Sequence, residues 1–181
     1  MNSPPSLTSA PTAASAPQLG SPPVRPVSPP ASIEELPAAV GRPIQWKRLR
    51  ENLAILDGGD TSQVLAAAFS VGDSLGGMAH ERHLRRLFAS AAGRELLARQ
   101  EPLVDVLADH PALENMPADS LGRSYLDFSN RHGLDVRYLL ESQHAMSRDF
   151  TSLDPIRKWL SDRLTVLHDL WHILAGYDAT P

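Results

Sequence analysis

The chain contains no cysteine among its 181 residues. That absence excludes a disulfide framework, a thiolate nucleophile and any zinc or iron–sulfur site built on cysteine. No apolar run approaches the ~18 residues of a membrane span. A basic surplus is also missing: 17 Lys and Arg stand against 21 Asp and Glu, for a formal net charge of −4. This balance argues against a general nucleic-acid binder, which needs positive charge to meet phosphates, although it leaves room for a local basic patch. No Gly-rich phosphate loop follows a strand. No repeat with a period of 20–50 residues is evident.

What the sequence has in excess is proline, and it is concentrated. More than half of the 16 prolines fall in the first 30 residues, beside Ser and Ala, with Arg25 the single charge there. Proline removes backbone donors, and so few large apolar side chains do not offset the entropy of ordering. Residues 1–31 therefore read as a disordered tail of polyproline character. The tail has neither the basic start and apolar centre of a signal peptide nor the Arg content of a transit peptide. This reads as a cytoplasmic protein with a tail followed by one domain over residues 32–181.

From Ile33 onward the apolar residues recur at helical spacing, and no alternating strand stands out. The expected fold class is all-α. Trp46, Leu49, Leu53 and Leu56 mark one amphipathic helix, stopped by Asp57-Gly58-Gly59-Asp60. Asp60 or Thr61 is placed to cap the next helix, about 62–71, whose apolar residues lie nearly all round, the pattern of central burial. Gly72 and Gly76-Gly77 should break it. A third helix spans 78–92 and ends at Gly93, with another around 94–99. Pro102 opens a short helix reaching Ala108. Asp119 or Ser120 caps one with Leu121, Tyr125 and Phe128 inside and Gly133 as its left-handed end. Residues 136–153 are weakly patterned. The last helix is capped by Asp154, begins at Pro155 and runs to Gly176.

The chemistry concentrates on that last helix, in LHDLWHILAG at 167–176. His168 and His172 are four residues apart, hence about 40° apart and one turn along the same face. This spacing offers two imidazoles to one divalent ion. Asp169 is positioned to add an oxygen or to orient an imidazole. On a helical wheel the histidines border an arc of Leu160, Leu164, Leu167 and Trp171. An ionic site against an apolar wall suits a ligand with a polar head and a greasy body.

Two histidines at this spacing also arise by chance on a helix, and the HD pair occurs in HD-domain phosphohydrolases. Those need a further upstream His, for which His80, His83, His110, His132 and His144 are available. His80 and His83 form a second pair at three-residue spacing, with Glu81 between them. Arg82, Arg85 and Arg86 read as a solvated edge, with anionic lipid headgroups as the alternative partner.

Two blocks together resemble a known family. MPADSLGRSYLDFSNRHGLD, residues 116–135, resembles the LP-x-G-(S/T)-LG-x-x-Y-x-x-F block of the fourth protein of the coenzyme Q (ubiquinone) biosynthesis pathway. DRLTVLHDLWHILAG, residues 162–176, resembles that family's R-x-x-HD-x-x-H-x-x-x-G helix. GRELLARQEPLVD, residues 93–105, is similar to its G-x-x-(I/L)-L-x-x-(R/K)-P-x-(I/L) stretch. The resemblance covers about residues 46–181.

It implies an all-helical fold and a divalent metal, usually zinc, held by His168, Asp169 and His172, which would then be the catalytic residues. It implies a polyprenylated ubiquinone precursor as ligand and C1 decarboxylation of its hydroxybenzoate ring. The alternative role is a non-catalytic isoprenoid-binding scaffold. Other ubiquinone-biosynthesis enzymes, a peripheral membrane contact and a second copy of the chain are the implied partners. The family's further ligand, a Glu well after the second His, would fall past Pro181, and Asp178 is the nearest carboxylate to replace it. The Pro-x-Gly turn reads Pro117-Ala118-Asp119, and the family's paired Asp before the last helix is reduced to Asp154.

Overall fold

The computed structural model describes residues 28–39, 41–58, 61–76 and 78–177. The expected tail therefore lies outside the described residues as far as residue 27, as do Asp60 and Asp178. Among the described residues there are nine α-helices, two 3-10 turns and no strand. The all-α expectation is met.

The helices are α1 (Trp46–Leu56), α2 (Thr61–Ser74), α3 (Met78–Ala89), α4 (Ala91–Arg99) and α5 (Leu103–Ala108). They continue with α6 (His110–Glu114), α7 (Leu121–His132), α8 (Val136–Met146) and α9 (Pro155–Ala175). Most boundaries follow from local chemistry. Ser120 Oγ accepts from Arg123 N at 3.2 Å and starts α7. Asp135 Oδ1 accepts from Arg137 N and Tyr138 N at 2.8 and 2.9 Å and starts α8. Asp154 Oδ1 does the same for α9, accepting from Ile156 N and Arg157 N at 3.0 and 3.1 Å. Each side chain satisfies N–H groups that the first helical turn leaves without a partner. Gly133 and Gly176 close α7 and α9 with φ of 62° and 71°, a region that side chains with a Cβ seldom enter.

Several local expectations are corrected. Gly72 does not break α2, which continues to Ser74 before the chain turns through Gly76 at φ 91°. Nor does Gly93 end the third helix. That helix stops at Ala89, Ser90 caps the next, and Gly93 donates to Ser90 Oγ at 3.0 Å from inside the first turn of α4. A Cβ on Gly93 would stand 2.6 Å from Leu87 Cα, so the glycine is needed where α3 folds back into α4. The unassigned stretch 136–153 contains α8 and a 3-10 turn at Phe150–Ser152, and α6 was not anticipated.

Burial also departs from the wheel patterns. In α1 only Leu49 is buried, while Trp46 and Leu53 are exposed. In α2, Ala67 is buried, but Val64, Leu65 and Phe69 are partly covered and Ala68 is exposed. Helix α2 packs on α1 and α8, which leaves part of its circumference open. Leu121 of α7 is exposed as well, while Tyr125 and Phe128 are buried.

The long α9 is the axis of the molecule and passes two cores. Its first half meets α3, and Ile156 and Leu160 cluster with Leu84 and Phe88 of α3 and Leu97 of α4. Its second half meets α5, α7 and α8 through Val166 and Leu170 against Leu107, Tyr125, Leu126, Val136 and Leu140. Burying apolar surface of this kind is the main favourable term in folding.

Residues outside the regular helices are tied on by charge. Arg157 at the start of α9 donates from Nε and Nη2 to Glu81 Oε2 of α3, at 3.0 and 2.9 Å. Its Nη1 reaches Asp154 Oδ2 at 2.6 Å and the Pro37 carbonyl at 2.9 Å. The segment around the Ile33–Glu35 turn is thereby held over the first core, with Ile33 and Leu36 packed against it. Burial works against the Arg157 charge, but Asp154 and Glu81 outweigh it and raise its pKa further. A second network holds α1 and α2. Asp73 pairs with Arg42 at 2.7 Å and with Arg48, and Arg42 Nε also meets Asp149 at 2.6 Å. Burial alone would raise the Asp73 pKa, yet the two guanidiniums hold it below the usual carboxylate range.

Candidate functional site

The C-terminal turns of α9 carry His168, Asp169 and His172 on the side that borders α7. The two imidazoles lie with ring centroids 4.6 Å apart, edge to face at 76°. Asp169 Oδ1 stands 3.7 Å from His168 Nδ1. The three environments differ sharply. The His168 side chain is 63% exposed, whereas Asp169 is only 13% exposed. Burial pushes the Asp169 carboxyl above its ordinary range, with His168 and then His172 pulling the other way.

The other wall of this site is α7, where Tyr125, Phe128 and His132 repeat at i, i+3 and i+7 and therefore share one face. Phe128 lies 6.1 Å from the His172 ring at 27°, and on its other side it meets His132 at 4.7 Å. Burial raises the Tyr125 hydroxyl to a pKa of about 12, and the nearby Asp169 and Asp135 carboxylates add to this. The Tyr125 phenol is therefore fully protonated at neutral pH. At the outer end Trp171 sits edge-on to His168 at 6.4 Å. A row of rings thus runs from His132 through Phe128, His172 and His168 to Trp171.

The apolar border is rearranged relative to the wheel. Leu160 is buried and Leu164 and Leu167 are partly so, but Trp171 and Leu174 are 51% and 69% exposed. Because α9 crosses two cores lying on different sides of it, the buried stripe turns around the helix between its halves. The sequence missed Phe128 and His132 as neighbours of the motif. The signal that would have found them is the 125/128/132 face ending in a histidine.

The remaining histidines are dispersed. His144 Nε2 bonds Asp162 Oδ1 at 2.6 Å and ties α8 to α9, and His110 begins α6. His80 and His83 lie on α3, which packs against the first half of α9. Among the described residues no group of three or more metal-type side chains already converges on one point. In kind, however, the motif's donors fit a divalent ion. Two imidazoles suit zinc, and a largely dehydrated carboxylate gains from a cation placed against it.

His80 has a consequence for stability. Its pKa is lowered from 6.5, first by burial and then by His83. The native state thus resists protonation that the unfolded chain accepts, so stability is lost as pH falls below the unfolded value. His80→Gln is expected to flatten this part of the acid limb. Urea midpoints between about pH 7 and about pH 5 check it, and parallel slopes for the two proteins would contradict it.

Fold and site together define an all-helical protein whose terminal helix presents an HD-x-x-H motif against an aromatic face. A family model described as "Coenzyme Q (ubiquinone) biosynthesis protein Coq4" matches residues 59–180. The chain belongs to this family, and its role lies in ubiquinone biosynthesis. No curated protein and no solved structure matches it. The matched span begins after α1, and α1 and the segment carrying Pro37 are held to it through Arg48 and Arg157. No helix among the described residues is long and apolar enough to cross a membrane.

Proposed function

We propose that this chain carries out metal-dependent C1 decarboxylation of a polyprenylated hydroxybenzoate ring, with His168, Asp169 and His172 holding a divalent ion, zinc by preference. The observation that carries the reading is the largely buried Asp169 carboxylate, 3.7 Å from His168, beside two imidazoles that meet at 4.6 Å. A divalent ion bound there supplies Lewis-acid stabilisation for negative charge on an aromatic acid. The protein's own groups supply the rest. Asp169 and the imidazoles fix the position of the polar head. Trp171, edge-on to His168, and Leu174, further along the helix, are exposed and give the apolar surface along which the isoprenoid chain lies. In the reaction a proton is added at ring C1 and the bond to the carboxylate carbon breaks. Its electron pair returns to the ring and CO2 leaves. The same exposed apolar side chains support a peripheral membrane contact, where such a lipid substrate resides.

Elemental mass spectrometry on the purified protein, paired with CO2 release from the prenylated acid, tests this. The expected result is near-stoichiometric divalent metal and turnover, both lost in a His168→Ala, His172→Ala double variant. Unchanged metal and turnover in that variant would overturn it. Prenyl-lipid binding without CO2 release would overturn the catalytic reading in favour of the scaffold that presents the precursor to other enzymes.

A further inference from the structure

We propose that the cleft between the N-terminal segment and α3 binds a single-chain amphiphile with an anionic head, the head held by Arg85 and the chain lying against Ile33, Leu36 and Ala38. This site is separate from the metal-site reading. Arg157, which lines the cleft, and His168 lie in opposite halves of α9, about 16 Å apart along its axis. The apolar wall also precedes the span 59–180 matched by the family.

The shape comes from two unlike walls. The cleft has a volume of about 590 Å³, within the range of small-molecule sites. Ile33, Leu36 and Ala38 belong to one wall, and Glu81 and Arg85 of α3 with Arg157 of α9 to the other. The apolar wall is fixed in place. Ile33 and Leu36 pack on the first core, and Arg157 Nη1 donates to the Pro37 carbonyl at 2.9 Å. A ligand that meets both walls needs an apolar body and one polar end.

The sign of that end follows from which charges are already paired. Arg157 donates from Nε and Nη2 to Glu81 Oε2 at 3.0 and 2.9 Å, and from Nη1 to Asp154 Oδ2 at 2.6 Å. Glu81 is thereby occupied. Glu34, the other carboxylate on the cleft, has its pKa lowered by hydrogen bonds from its own backbone and from Ser32 before any effect of Arg85. Arg85 is different. Its Nη2 stands 3.8 Å from Glu81 Oε1, beyond hydrogen-bond range, and its side chain is 64% exposed. Arg82 and Arg86 are exposed on the same helix, and Glu81 is the only carboxylate that α3 carries. The field on this side of α3 therefore favours an anion, and a carboxylate or phosphate head accepts well from a guanidinium.

The test titrates the full chain calorimetrically with decanoate, below its micelle concentration, and with decyltrimethylammonium, a similar chain with the opposite head charge. Decanoate is expected to bind and the cation not to. Arg85→Gln should lower the decanoate affinity about tenfold, the loss of one charge-assisted hydrogen bond. Ala38→Asp, an exposed change on the facing wall, should also weaken binding, whereas Ala38→Lys should not. Both positions are exposed, so melting temperatures should stay unchanged. Trp171→Ala should leave decanoate binding as it is, because that side chain lies by the HD-x-x-H motif. No decanoate binding at millimolar concentration, equal binding of the cation, indifference to both Arg85 and Ala38, or loss of binding in Trp171→Ala would each overturn the proposal. Capture of anionic phospholipid vesicles without uptake of monomeric decanoate would also overturn it, in favour of the α3 arginines meeting a lipid surface.

Discussion

Replacing Arg157 by Met is expected to lower the stability of this protein by about 3–5 kcal/mol, the cost of breaking a buried ion pair from one side. The guanidinium is 9% exposed and the Glu81 carboxylate 7%, so removal leaves a poorly hydrated anion with only the more distant Arg85, at 3.8 Å, beside it. Three structural units lose a common fastener at once: α3 through Glu81, the start of α9 through Asp154, and the N-terminal segment through the Pro37 carbonyl. Asp154 keeps its two backbone cap bonds, so α9 still begins where it does. Thermal unfolding should show a drop of about 10 °C for a chain of this size. The double variant Arg157→Met, Glu81→Leu should recover part of the loss, because it removes the Glu81 charge along with its partner while Asp154 keeps only its backbone cap bonds. A fall of less than about 1 kcal/mol in the single variant would mean that the pair behaves as a hydrated surface contact.

Asp169→Asn is expected to move stability and metal affinity in opposite directions. Burial raises the Asp169 pKa, so the native state holds this proton more tightly than the unfolded chain does. Between the unfolded and folded pKa values, the unfolded state has already released the proton, and stability therefore falls as pH rises through that window. At neutral pH the metal-free protein bears the cost of a dehydrated charge, and Asn, of the same shape and neutral, removes it. The metal-free variant should melt above the wild type. Divalent-ion affinity should fall at least about tenfold, since an anionic oxygen beside two imidazoles is replaced by a neutral one. Calorimetric melting of the metal-free proteins and competition titration with a chromophoric chelator read the two arms. Equal melting and equal affinity would remove Asp169 from the site. Opposite movement of the two would mark Asp169 as a group kept for its function at a cost in stability.

The secondary structure of this protein is largely written in short-range chemistry. Ser120, Asp135 and Asp154 cap helices because their side-chain oxygens reach N–H groups two or three residues ahead. Gly133 and Gly176 end helices because those positions adopt positive φ. Of these five, the sequence marked all but the Asp135 cap. The HD-x-x-H spacing likewise fixes that His168 and His172 share a helix face, and the block around Tyr125 together with that motif pointed to the ubiquinone-biosynthesis family that the chain belongs to.

What no single helix specifies is which face meets which neighbour. Gly72 and Gly93 look like breakers in isolation, but one lies within α2 and the other inside α4 where α3 comes close. Trp171 lies on an apolar arc of the wheel, yet it is exposed because α9 changes partners between its two cores. Phe128 and His132 lie some forty residues before the motif, and only the packing of α7 on α9 brings them to it. The sequence by itself determined most of the helices, several of their caps and the spacing of the donor residues, because those depend on contacts a few residues long. The burial of Asp169, the ring that faces His172 and the charge network on Arg157 were decided by tertiary structure, because each depends on side chains that meet only when distant helices pack.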